Sequence, residues 1–353
     1  MTDITTATTD VDSESPANPF AVQDTSFNHI QSAHCESGVA AGLSSHYGLP
    51  LSEPMAFGLA GALTFAYIPF IKLFGMPMIA YRMPPKAIIK GLQKRTGIKF
   101  EFKTFRNEEH GMAALDNLLS EGKPVGLQTN VYWLPYFPRE MQFHFNGHNL
   151  IAFKKHEGDY LVSDPVFETA LRCDAKGLKK ARFAKGALAA KGLMYYPKTM
   201  PQALDLPAAI KKAIKANYKV MHAPLPFIGI KGIRYLGKQI IKLAKHPIKK
   251  DKHLNLYLGH IVRMQEEIGT GGAGFRFIYA AFLKEAAQHL EPELLTQASK
   301  QMTEAGDEWR NFALHASKMT RNRMPMDAEK LNNILNACAD KEAEVWRLLK
   351  RLF

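Results

Sequence analysis

Cysteine is scarce, with 3 residues in a chain of 353. Cys35, Cys173 and Cys338 stand far apart and form no CxxC pair. That spacing excludes a disulfide framework and a thiolate zinc site, and it fits a reducing cytoplasm. A secretory signal is also missing: MTDITTATTDVDSESPANPF has no basic flank and no apolar run, so residues 1–24 are expected to form a flexible polar tail. No run is long enough for a membrane span. The nearest, MAFGLAGALTFAYIPFI at 55–71, is short and broken by Gly58, Gly61 and Pro69, and is expected to be a buried helix. Acidic residues are absent from Leu206 to Lys250, where eleven Lys or Arg occur. That basic stretch, within a net charge of +13, suits an acidic protein, an anionic membrane surface or nucleic acid. No RNA-recognition or helix-turn-helix signature accompanies it, so nucleic acid is not expected. His34, His46, His144 and His148 have no carboxylate cluster or metal-site spacing, so no metal is expected either.

What remains is a globular composition, 46% hydrophobic and 22% charged, in a chain long enough to bury a large core. The first half mixes helices and strands. Val39, Leu43 and Tyr47 follow Cys35 at helical spacing, and Gly48 and Pro50 end that helix. Helical or irregular apolar sequence is expected to about Gly91. Strands are expected at 98–105, 124–133, in NLIAFKK and DYLVSD, and near residue 195, with a helix in EEHGMAALDNLLSEGK. Beyond Pro197 the pattern is helical: 207–219, 231–246, 252–268, 275–290, 292–317 and 327–352. The expected division is therefore an α+β part, 25–200, and a helical part, 201–353.

Cys35 opens a helix, where unpaired N–H groups and the helix dipole favour a thiolate, and its neighbours are His34, Glu36 and Ser37 rather than apolar residues. In HFNGHNLIAFKKHEGDYLVSDP one strand begins just after His148 and the next ends at Asp164. A two-residue turn would force Glu157 to positive φ, so a three-residue loop, His156-Glu157-Gly158, is expected, with Gly158 left-handed in a bulge. Counting back pairs Leu150 with Asp164 and makes Asp164 the diagonal neighbour of His148 on one face. Cys35, His148 and Asp164 then form a nucleophile, a base and a group that orients the base. The backbone N–H of Cys35 would be one oxyanion donor. Each of the three taken singly also suits a bland structural role.

HCESGVAAGLSSHYGLPLSEPMAFGLAGALTF together with FNGHNLIAFKKHEGDYLVSDP resembles the N-terminal domain of the butirosin biosynthesis protein H family, and the helical part with GTGGAGFRFIYAAFLKEAA resembles the domain that accompanies it. The resemblance implies a papain-like fold akin to the double-glycine leader peptidases. It also implies acyl transfer from an acyl carrier protein thioester to an amine, with Cys35 acylated, His148 as base and Asp164 as its orienter. No cofactor would be bound, because the phosphopantetheine arm comes with the carrier. The leader peptidases place a glutamine six residues before the cysteine as oxyanion donor. Here that position is His29, which leaves Gln31 and Asn28 as candidates to substitute.

An acidic carrier would meet the basic surface around 206–250. Apolar residues between 55 and 83 suit an acyl channel or plain core, with core favoured. In GTGGAGFR, Gly271, Gly272 and Arg276 are candidates for a phosphopantetheine phosphate, although a tight turn between the two parts suits the glycines better. Nucleotide binding is not expected, since the P-loop Lys-Ser/Thr pair is missing. Two other functions stay open: a cysteine peptidase or amidase, and a basic binding module without catalysis.

Overall fold

The computed structural model describes residues 18–73, 75–246 and 251–353. Most of the expected polar tail, residues 1–17, and the end of the basic stretch, 247–250, lie outside the described residues. Strand β1 (Ala21–Val22) leads to helix α1 (Cys35–His46), which starts where the His34 side chain accepts the Ser37 N–H. Helix α2 (Glu53–Leu59) follows, capped by Ser52. The single buried helix expected over 55–71 is corrected here. Gly61 takes a φ of +62°, and the chain continues as β2 (Leu63–Leu73), paired with β3 (Met76–Arg82). From Leu63 onward the run is rich in aromatic and β-branched residues, which fit a pleated surface. Pro69 falls in a register break between the Ile68–Met78 and Lys72–Pro77 pairs, where its missing N–H costs no ladder bond. An all-apolar run carries no period that separates a helix from a strand.

Then come α3 (Ala87–Thr96), β4 (Lys99–Lys103), α4 (Glu108–Ser120), β5 (Val125–Thr129), β6 (His148–His156), β7 (Asp159–Ser163), β8 (Ala170–Cys173), α5 (Ala175–Phe183) and β9 (Met194–Thr199). Seven strands form one antiparallel sheet in the order β1-β8-β7-β6-β5-β9-β4. Strand β6 is central, and its residues 148–153 are buried on both faces. Its Ile151 and Phe153 pack on the α1 side, while Leu150 and Ala152 belong to the core on the other. That second core also takes Leu115 and Leu118 of α4 and Leu178 of α5.

The β6–β7 turn differs from the expected loop. Glu157 and Gly158 both have positive φ, 51° and 88°, and His156 pairs directly with Asp159. The right-handed strand twist favours this tight two-residue turn over the cost at Glu157. A bulge at Phe153 then shifts the register by one, so that Ala152 faces Val162 and Ile151 faces Ser163. Past the bulge, Ile151 and Ser163 are paired as the longer loop would have had them, and Asp164 follows directly.

The remaining chain is helical: α6 (Leu206–Met221), α7 (Gly229–Ala244), α8 (Asp251–Val262) running into a π-helical turn at Arg263–Glu267, a short turn Ala273–Phe275, α9 (Arg276–Ala286), α10 (Pro292–Thr320) and α11 (Ala328–Leu349). No helix among the described residues is long and apolar enough to cross a membrane. Strands and helices divide near residue 200, yet one apolar core crosses that point. Phe65 and Tyr81 of the hairpin each lie 5.5 Å from the Trp309 ring. Gly58 brings α2 so close to α9 that an added Cβ would stand 2.0 Å from the Phe282 ring. Met55, Phe57 and Phe65 are buried in this core, so that part of the apolar run is core, whereas Phe70 and Ile71 near the hairpin tip are exposed.

Candidate active site

Cys35, the first residue of α1, is partly exposed, whereas Cys173 and Cys338 are buried. The first-turn N–H groups of a helix lack intrahelical partners and carry its positive dipole end. Here the approach to that turn is fixed from two sides. His34 Nδ1 accepts the Ser37 N–H at 3.2 Å, which requires a neutral imidazole. Burial, with the charges of Arg82 and His148, holds the His34 pKa well below its usual value. From the other side the Glu53 carboxylate accepts the N–H of Ala33 and that of His34, each at 2.8 Å, and the Ser37 hydroxyl at 2.9 Å. Burial raises the Glu53 carboxyl against these three bonds.

His148 opens β6 and Asp164 follows β7. Their side chains meet as the sequence geometry anticipated, with Nε2 of His148 2.7 Å from Oδ2 of Asp164. Both are almost fully buried, at 4% and 0% exposure. The Tyr136 hydroxyl donates to the same carboxylate oxygen at 2.9 Å, and the Val166 N–H donates to the other at 3.1 Å. Burial alone would lower the His148 pKa. The charge and hydrogen bond of Asp164, then the hydrogen bond and charge of Cys35, overcome burial and raise it to about 10. With Asp164 as the larger of the two raising influences and Cys35 as the smaller, the imidazole is favoured as a cation.

Two of the three expected oxyanion candidates spend hydrogen bonds elsewhere, and the third is exposed. His29 is 2.7 Å from Ser163 Oγ and 2.9 Å from the Phe167 carbonyl oxygen. Gln31 donates to the Val166 carbonyl at 3.1 Å, and Asn28 is exposed. The side-chain amide beside the sulfur belongs instead to Asn149, whose Nδ2 is 3.9 Å from Sγ. Its place next to His148 in GHNL was a readable signal; Glu53, Tyr136 and Tyr195 carried none.

The helical part borders the site through the glycine turn. A Cβ on Gly271 would stand 3.2 Å from the Ala33 Cβ, and the Phe275 ring meets the His34 ring edge-on at 5.1 Å. The phosphate role expected for Arg276 is corrected. Arg276 is fully buried, bonded to Glu342 at 2.9 and 3.2 Å and to the carbonyls of Thr64 and Gly274. Gly271 and Gly272 also make a poor anion cradle, because the Gly272 N–H donates to Thr270 Oγ1 and the next N–H, of Ala273, donates to the Glu266 carboxylate. A tight turn between the two parts is what the glycines supply.

On the basic stretch, Lys211, Lys212, Lys215 and Lys219 of α6 and Lys231, Lys238 and Lys242 of α7 are exposed. Arg234 and Lys245 are instead paired with Asp340 and Glu329 of α11. No group of three His, Cys, Asp or Glu among the described residues is arranged to hold a metal ion.

Residues 34–165 match the family model of Butirosin biosynthesis protein H, N-terminal, and residues 176–349 match a domain of unknown function, DUF4872. Among solved structures the chain is similar to one described as a C39-like peptidase from Bacillus anthracis, at 13% identity and a TM-score of 0.35, over 50% of this chain and 96% of that one. No curated protein matches the sequence.

Proposed function

We propose that this chain, whose residues 34–165 match the family model of Butirosin biosynthesis protein H, N-terminal, is a cytoplasmic, cysteine-dependent acyltransferase of biosynthetic metabolism. The donor is an acyl thioester on the phosphopantetheine arm of an acyl carrier protein, and the acceptor is an amine. The observation that carries this reading is the buried 2.7 Å pair of His148 and Asp164, in a chain whose one partly exposed cysteine among the described residues, Cys35, opens a helix.

Sγ of Cys35 attacks the thioester carbonyl, and the carbon–sulfur bond to the carrier arm breaks. The imidazolium of His148 gives its proton to the departing thiolate, which leaves as the carrier thiol. A neutral imidazole remains, still aligned by Asp164, to take the proton from the incoming amine as its nitrogen attacks the acyl-cysteine. The amide leaves and Sγ is restored. Thioester exchange is close to balanced, so the cysteine takes the acyl group with little driving force, and exclusion of water favours the amine in the second half. The exposed lysines of α6 and α7 would steer an acidic carrier towards the protein.

Incubation with acyl-loaded carrier protein followed by mass spectrometry tests the proposal. The expected result is the acyl mass on Cys35, lost when amine is added, and no adduct in Cys35→Ala. Cleavage of peptides with no acyl adduct would make the chain a peptidase or amidase. Full function in Cys35→Ala would leave a basic binding module.

A further inference from the structure

We infer that Asn149 supplies the side-chain oxyanion donor of this site and that Tyr195 holds it in place. The inference rests on the acyl-cysteine reading and identifies a residue that reading lacked.

The amide orientation follows from its partners. Nδ2 faces the Gly147 carbonyl at 3.1 Å, a group that only accepts, so this end must be the nitrogen. Oδ1 accepts the Tyr195 hydroxyl at 2.8 Å. One N–H is thereby spent on Gly147, and the other is left on the side of Cys35 Sγ, 3.9 Å away. That separation is long for a bond to sulfur. It suits an oxygen on a carbon bonded to the sulfur, because oxyanion donors work at about 2.7–3.1 Å from the developing charge rather than from the nucleophile. Together with the backbone N–H at the start of α1, the amide would complete a pair of donors.

The support for Asn149 is built into the sheet. Tyr195 on β9 pairs with Gly126 on β5, and Gly126 pairs with Ile151 on β6, two residues from Asn149. The Tyr195 ring lies across Gly126 so closely that a Cβ there would be 2.4 Å from it. Glycine therefore opens the path by which the hydroxyl reaches from β9 over β5 to Asn149. Both side chains are nearly inaccessible, at 6% for Asn149 and 2% for Tyr195, so the amide is held in one pose.

Two reactions of the same sulfur separate this role from others. Alkylation by iodoacetamide forms no oxyanion, whereas acylation by an acyl-pantetheine thioester does. In Asn149→Ala we expect acylation of Cys35, followed by intact mass, to slow by about 10²–10³-fold, the usual cost of one oxyanion donor, with alkylation unchanged within a few fold. In Tyr195→Phe, which keeps the ring, acylation should slow by a smaller factor, about tenfold, again with alkylation spared. Equal loss in both reactions, or no loss of acylation in either variant, overturns the inference. Should Asn149→Ala fail to fold, the same two rates in Tyr195→Phe decide. A wild-type chain that is alkylated but takes no acyl group removes the acyl-cysteine reading and this inference with it; normal acylation in the variants removes the inference alone.

Discussion

Glu53 Oε1 accepts the backbone N–H of His34 at 2.8 Å, which ties the first turn of α2 to the residue before the nucleophile. The other oxygen takes the Ala33 N–H at the same distance, so both oxygens act purely as acceptors. Glu53→Gln replaces one of them with a donor facing a donor. Loss of one charge-assisted bond and strain on the other should destabilise the chain by about 1.5–3 kcal/mol, seen as a lower urea midpoint at unchanged slope. Acylation of Cys35 should fall as well, because the turn that aims the sulfur loosens.

His148 gives the pH dependence. Its pKa is raised from 6.5 to about 10, so it binds a proton more tightly folded than unfolded. Its contribution to stability is therefore fully present below about pH 6.5 and is lost as the pH rises through about 10. In Asp164→Asn burial is opposed only by the weaker influence of Cys35, and the imidazole pKa should fall. Nitrogen NMR of the histidine ring measures this directly. Cys35→Ala should lower the same pKa by less, since the sulfur is the smaller of the two raising influences.

Thiol labelling should be selective. Burial pushes the thiols of Cys173 and Cys338 well above their usual pKa, and both are 0% exposed, whereas Cys35 is partly open. Native iodoacetamide treatment should add one group, and peptide mapping should place it on Cys35. Labelling of all three in the native state would mean that the buried sites open readily.

The pairing of His148 with Asp164 was legible because both lie on one hairpin, where strand parity decides which side chains share a face. The turn itself departs from the expected loop because strand twist outweighs positive φ at Glu157, and the bulge at Phe153 restores the register. The hairpin strand that begins at Leu63 was illegible because the apolar stretch up to Ile71 has no period that separates a helix from a strand. Asn149 was visible beside His148, but its role depends on Tyr195, and only the insertion of β9 next to β5 brings those side chains together. Contacts of that kind follow from strand order, which a sequence does not display. The same holds for Glu53, whose partners exist only once α2 folds back on the start of α1.

Arg276 separates a structural from a functional role most sharply. Its guanidinium lies 5.7 Å from the Tyr81 ring centroid and 5.2 Å from that of Trp309, and it pairs with a Glu342 that also accepts the Trp309 N–H at 2.7 Å. Both ionic partners are completely buried. Arg276→Ala leaves the Glu342 carboxylate without its cation in the core that joins hairpin and helices, a loss of about 3–5 kcal/mol for a buried pair broken on one side. A variant replacing both partners with apolar residues of similar volume, Arg276→Met with Glu342→Leu, should recover much of that loss. Thermal melts of the two variants check this. If Arg276 instead met a phosphate of the donor, Arg276→Ala would keep its melting temperature and lose only affinity for the acyl carrier, and the double variant would recover nothing.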